Sequence, residues 1–220
     1  MLIIDDPRVL FIHIQKTGGT SVTARLRDRY PTVATLSKKH STFADATAAL
    51  GDEVGSYRVV TFVRNPWERL VSWYSMIVQR VEQAGSTSNG RWLFVLERAR
   101  TFEEFIMCCD AAFDERGGYA RDYLTNQLDY LADAWQRARS VHVGRYEAFA
   151  DDARRIFDEV GLPLGELPVV NGSQHEHYSV YYSARTRDIV AKRYRRDIDA
   201  FGYTFAGPPT HVATRVPVTD

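Results

Sequence analysis

The segment Lys16-Thr17-Gly18-Gly19-Thr20-Ser21 is built almost wholly from hydrogen-bond donors. Lysine supplies a point charge and the hydroxyls supply further donors. The two glycines let backbone N–H groups approach a ligand closely. Everything in the stretch gives and almost nothing accepts, so the chemistry it suits is the holding of a phosphate or sulfate. A helix starting at its end would add a positive dipole at the same spot. A plain glycine turn between strand and helix would use the same two glycines, and for this loop alone that reading stays open. It is not a Walker A loop, which ends glycine-lysine-serine/threonine; here the lysine precedes the glycines.

A second group follows in Arg64 and Ser72, spaced so that a helix would carry Ser72 about two turns past Arg64. Together they could grip a second phosphate, although an arginine at a strand end and a serine in a helix are also ordinary surface residues. A nucleotide-binding site that relied on Mg²⁺ would need a carboxylate at a neighbouring strand end. The strand ends here read Val63-Arg64 and Gly144-Arg145, so the sequence predicts neutralisation of anions by side chains and no metal site. His175 and His177 stand two apart, a weak metal signal without a third ligand. With Tyr178, Tyr181 and Tyr182 beside them, they read better as a cover over nucleotide or acceptor.

The elements that position these groups are legible in outline. Val9–Ile14 reads as a buried strand leading into the glycine loop, and Val22–Tyr30 as the helix after it, closed by Pro31. Thr32–Leu36 reads as a short strand. Ser41 or Thr42 is placed to cap a helix that ends at Gly51. Tyr57–Arg64 is the clearest strand. Asn65 as N-cap, Pro66 in the first turn and Glu68 three residues on announce the next helix, with apolar residues at helical spacing from Trp67 to Val81. Gln83–Arg91 reads as a loop, Thr101–Glu104 as a capping box opening a helix to about Cys109, and Asp114–Gly118 as a loop. Ala120–Tyr130 is predicted helical. Ser140–Gly144 reads as a third strand, Tyr146–Val160 as a helix stopped by Gly161, and Ala184–Phe201 as one long helix ended by Gly202. Strands alternating with helices predict an α/β fold, a P-loop-like three-layer sandwich whose central parallel sheet carries helices on both faces. In such sheets ligands sit at the carboxyl ends of the strands, where both donor-rich segments fall.

The chain has 220 residues, of which 45% are hydrophobic and 25% charged, the mixture of a globular protein with a sizeable core. With 28 basic and 28 acidic residues it is neutral, which argues against nucleic acid or an anionic membrane as a bulk-charge partner. Anion binding must therefore be local. Cys108 and Cys109 are adjacent and make a poor disulfide, so the chain is expected in a reducing, cytoplasmic setting. No apolar run is long enough for a membrane span. A single domain over residues 1–205 and a loose tail over 206–220 are expected.

Two of these segments resemble a known family. Phe11-Ile12-His13-Ile14-Gln15-Lys16-Thr17-Gly18-Gly19-Thr20-Ser21 resembles the 5′-phosphosulfate loop of sulfotransferases that use 3′-phosphoadenosine 5′-phosphosulfate (PAPS). Val63-Arg64-Asn65-Pro66-Trp67-Glu68-Arg69-Leu70-Val71-Ser72-Trp73-Tyr74 resembles their 3′-phosphate segment. The similarity runs over roughly residues 9 to 205 and is greatest to the carbohydrate sulfotransferases and their soluble bacterial relatives. The resemblance implies that Lys16 and the backbone from Thr17 through Gly18, Gly19 and Thr20 to Ser21 hold the 5′ end of PAPS. It implies that Arg64 and Ser72 hold the 3′-phosphate, and that His40, in the interval between the motifs, is the general base toward an acceptor hydroxyl of a sugar or small-molecule alcohol. The product would be adenosine 3′,5′-bisphosphate (PAP). One position departs from the family pattern: Gln15 stands where proline is usual. The competing readings are a P-loop kinase using ATP and Mg²⁺ and a non-catalytic binder of PAP. Gln83–Arg91 and Ala120–Tyr130 are candidates for the acceptor pocket, and Trp73 and Tyr123 for stacking on a sugar.

Overall fold

The computed structural model describes residues 1–84, 90–108, 124–167 and 175–207. They fall into two compact units. The first holds the described residues of 1–64 and 127–171, the second those of 65–126 and 172–210.

The first unit is built on a five-stranded sheet. Its strands are β1 (Leu2–Asp5), β2 (Arg8–Ile12), β3 (Ala34–Thr35), β4 (Arg58–Val63) and β5 (Ser140–Arg145), in the order β3-β1-β2-β4-β5. β2, β4 and β5 are parallel neighbours, with Ile12 opposite Thr61 and Val63 opposite Arg145. β1 is antiparallel to both of its neighbours. The expected α/β architecture is present, with one adjustment: the sheet is mixed, because the chain opens with a strand that pairs as a hairpin with β2. Leu2–Asp5 carries no clear strand signal of its own: the run is short, and the strands it pairs with, β2 and β3, lie further along the chain.

Val9, Leu10, Phe11 and Ile12 are all buried, as are Val59, Val60, Phe62 and Val63. Burial on both faces explains why these strands are continuous apolar runs. On one face Val9, Phe11, Val60 and Phe62 pack with Val22 and Leu26 of α1 (Gly19–Arg29) and with Ala153, Ile156 and Phe157 of the helix Phe149–Glu159. Each fully buried aliphatic or aromatic side chain there contributes about 1.5–3 kcal/mol. α2 (Phe43–Leu50) is capped by Thr42, whose hydroxyl accepts from the Asp45 N–H while the Asp45 carboxylate accepts from Thr42. Gly51 closes that helix, as the sequence predicts.

The second unit is helical. α3 (Pro66–Ala84) buries Trp67, Leu70, Val71, Trp73 and Ile77 against Trp92 and Val95 of the helix Gly90–Arg98, Phe105 and Ile106 of the helix Phe102–Cys108, and Tyr178, Val190 and Tyr194. Asn65 caps α3 by accepting from the Trp67 N–H at 3.1 Å, and its amide also donates to the Thr204 carbonyl at 2.9 Å. The Thr101–Glu104 capping box is present in both directions. Several expectations change here. Of the loop expected over Gln83–Arg91, Gln83 and Ala84 instead end α3, Gly90 and Arg91 begin a helix, and residues 85–89 lie outside the described residues. The single helix read over Ala184–Phe201 is two, Ala184–Arg193 and Arg195–Phe201, divided at Tyr194, whose ψ of 26° leaves the α region. Gly202 ends the second at φ 66°. Of the helix predicted over Ala120–Tyr130, residues 120–123 lie outside the described residues, and after Leu124 the stretch is not an α-helix: Thr125 and Asn126 stand outside any helix and a 3₁₀ turn, Gln127–Leu131, follows. The readings for Asp114–Gly118 and for nearly all of the tail lie outside the described residues.

Candidate functional site

β2 ends at Ile12, and the chain turns through Gln15–Gly18 into α1. The Thr17 hydroxyl donates to the Ile14 carbonyl at 2.8 Å, and the Ser21 N–H donates to the Gly18 carbonyl at 3.0 Å. The single hydroxyl proton of Thr17 is thereby spent inside the loop, so what Thr17 can offer an anion is its backbone N–H. Lys16 lies at φ 68°, in the left-handed region that a lysine rarely adopts. That conformation costs about 1–2 kcal/mol, and it is held by Arg64, whose Nη1 donates to the Lys16 carbonyl at 3.2 Å.

The two glycines have a reason the sequence reading did not supply. Gly18 lies at φ 83°, and a Cβ there would fall 2.5 Å from the Phe149 ring. A Cβ on Gly19 would overlap the His13 ring. Both residues are small because protein side chains close over them, not only because a ligand might approach. α1 opens at Gly18 with no side-chain cap and no acidic residue in its first turn. The first N–H groups of a helix have no intrahelical partner, so this end carries the positive potential that favours an anion.

Arg64 is 4% exposed, which removes the surface reading. Its guanidinium lies 3.9 Å from the centre of the Tyr146 ring, at the carboxyl end of β5. Its backbone is gripped by Gln127: the Arg64 N–H donates to Oε1 and Nε2 donates to the Arg64 carbonyl, both at 2.8 Å. Gln127 is completely buried. The sequence does not single it out, since a lone glutamine within a predicted helix carries no pattern. Arg145, at the end of β5, is also buried, and its N–H donates to Asp152 at 2.7 Å.

His40 is half-buried, and its Nδ1 lies 2.9 Å from the His13 carbonyl. A carbonyl only accepts, so Nδ1 carries the hydrogen and the neutral ring presents its lone pair at Nε2. The His13 ring meets the His40 ring edge-on, with centroids 4.7 Å apart. His13 is itself buried, and burial, with a smaller contribution from His40, pulls its pKa down to about 2. It therefore stays neutral beside the Lys16 loop. Lys38 and Lys39, just before His40, are exposed.

The first unit thus brings together Lys16, Thr17, Gly18, Gly19, Thr20, Ser21 and Arg64, with His40 tied to His13, the residue just past the strand that leads into the loop. Ser72 belongs to the second unit, on α3, and is 2% exposed, so it is not a solvated helix serine. Arg69 on the same helix is buried as well and donates to the Thr125 carbonyl at 3.2 Å. Trp73 is core, packed 6.1 Å from Trp92; Tyr123 lies outside the described residues. His177 caps the turn Tyr178–Tyr181 by accepting from the Ser179 N–H, and His175 bonds to the Glu176 carbonyl. Among the described residues no group of three or more histidines, cysteines and acidic residues is placed to hold a metal ion.

The first unit carries a donor-rich turn at the carboxyl edge of its parallel strands, and the comparison with protein families says what kind of protein this is. The model of the sulfotransferase family matches residues 1–204, so the chain belongs to the sulfotransferase family and is an enzyme that transfers sulfuryl groups. No curated protein matches the sequence. Among the described residues no helix is long and apolar enough to cross a membrane.

Proposed function

We propose that the enzyme takes its sulfuryl group from PAPS and passes it to the hydroxyl of a sugar or small-molecule alcohol. The observation that carries this reading is the turn at residues 16–21: a lysine joined through its carbonyl to Arg64, and a helix start with no side-chain cap and no carboxylate in its first turn. That set fits the 5′ end of such a donor. PAPS supplies a sulfuryl group on a good phosphate leaving group. The S–O bond to phosphate breaks as the acceptor oxygen bonds to sulfur, and negative charge builds on the leaving oxygen.

Lys16 and the N–H groups at the start of α1 stabilise that charge, the main lever in a loose in-line transfer. His40 takes the acceptor proton at Nε2, with Nδ1 fixed on the His13 carbonyl. Arg64 is the protein's anchor for the 3′-phosphate, its charge steadied over Tyr146. Ser72 joins it in this reading from the sequence pattern alone. The decisive assay uses labelled PAPS with a panel of hydroxyl acceptors. Lys16→Ala and His40→Ala are expected to lose transfer while keeping the wild-type circular dichroism spectrum. Full activity in both rejects the assignment, and activity with ATP and Mg²⁺ but none with PAPS selects a kinase.

A further inference from the structure

We propose that the short 3₁₀ turn Gln127–Leu131 is a strut that sets the spacing between the Lys16 loop and Arg64, with Gln127 and Tyr130 as positioning residues. The inference rests on the donor-binding reading of those two segments. The turn lies in neither motif. In a 3₁₀ helix, residues three apart eclipse one another, so Gln127 and Tyr130 present their side chains on one face. Gln127 grips the backbone of Arg64 from both sides. The Tyr130 hydroxyl donates to the Gln15 Oε1 at 3.3 Å, and Gln15 directly precedes Lys16. Arg64 donates back to the Lys16 carbonyl, which closes the circuit.

Gln15, Gln127 and Tyr130 are each buried to 94% or more. Burying so many polar groups costs free energy unless each is bonded, and an apolar side chain of like volume would fill the same space without that cost. What the polar set adds is direction: it fixes where two loops sit relative to each other. Gln15 occupies the position at which the pattern of the resembling sequences calls for proline, and its tie to Tyr130 restrains the loop entry by another route.

The test compares Tyr130→Phe, Gln15→Met, the double variant, Gln127→Met and Gln127→Glu, each checked for a wild-type melting profile. Tyr130→Phe keeps the buried ring and removes only the hydroxyl. Affinity for adenosine 3′,5′-bisphosphate is read by calorimetry, KM for donor and for acceptor separately, and amide exchange over residues 15–21. Tyr130→Phe and Gln15→Met are each expected to raise the donor KM about fivefold, with the double variant losing less than the product of the two, because both lose the bond they share. The acceptor KM stays unchanged, exchange over residues 15–21 quickens, and Gln127→Glu recovers part of what Gln127→Met loses. Additive effects in the double variant, or unaltered exchange over residues 15–21, overturn the strut. If the wild-type enzyme neither binds the bisphosphate nor uses PAPS, the proposed donor falls instead, and the exchange measurement still decides the strut on its own.

Discussion

Lys16 combines a charge with a backbone conformation that side chains avoid, and the two can be separated by substitution. Glycine accepts φ 68° without strain and alanine does not. Lys16→Gly is therefore expected to be more stable than Lys16→Ala by about 1 kcal/mol in urea melts, although both lose transfer. His13 gives a pH signature. Its pKa is about 2 in the folded chain and near 6.5 when unfolded, so below pH 6.5 the unfolded state binds a proton that the folded state refuses. Stability should fall as pH drops through that window, by roughly 1 kcal/mol per pH unit. Denaturant melts at pH 7 and pH 5 should show this slope in the wild type and its reduction in His13→Asn. Gly19→Ala places a methyl in the His13 ring, and a loss of about 1–3 kcal/mol is expected, readable as a lower midpoint. Lys16 and Arg64 stand out by residue type and position and His40 by the resemblance, and the structure joins Arg64 to the Lys16 carbonyl and His40 to the His13 carbonyl. The left-handed lysine and the packing at Gly18 were not legible in the sequence, because they are set by residues far along the chain, Arg64 and Phe149; at Gly19 the neighbour is His13, whose ring orientation the sequence does not show.

The elements that read well are those whose local signals agree with their packing. β2, β4 and β5 are apolar runs buried on both faces, and α2, α3 and the helix after Thr101 begin at good caps. Thr42→Ala, which removes one arm of a reciprocal cap, should cost about 1 kcal/mol and lower the melting temperature without altering the sheet's spectral signature. β1 escaped notice because its stability comes from pairing with β2 and β3, a long-range fact with no local mark. The division at Tyr194 was equally silent: tyrosine is an acceptable helix residue, and its ring is fully buried in the second core. Residues 127–130 of the turn Gln127–Leu131 fall in the stretch that reads as helix, Ala120–Tyr130, since a few residues are too short to show a period of their own.

At the scale of the molecule, the two units have separate cores, and the chain leaves the first after Arg64 and returns to it at Gln127. β5 and the helix Phe149–Glu159 come only after that return, although β5 pairs with β4 along its whole length. A chain cut after residue 126 is thus expected to lose cooperative unfolding in calorimetry, because β4 then lacks a neighbour and Phe11 and Phe62 lose their cover. The neutral net charge was legible at once; the division into two units was not, since the sequence has no composition break at residue 64 or 126. The departure and return points, Arg64 and Gln127, are themselves joined by two hydrogen bonds. Everything between them is an excursion whose ends meet at a single rung, so its length adds little to the entropy of closing the first unit. That stretch is where descendants of this fold can trade cassettes of different size while the sheet keeps the same doorposts.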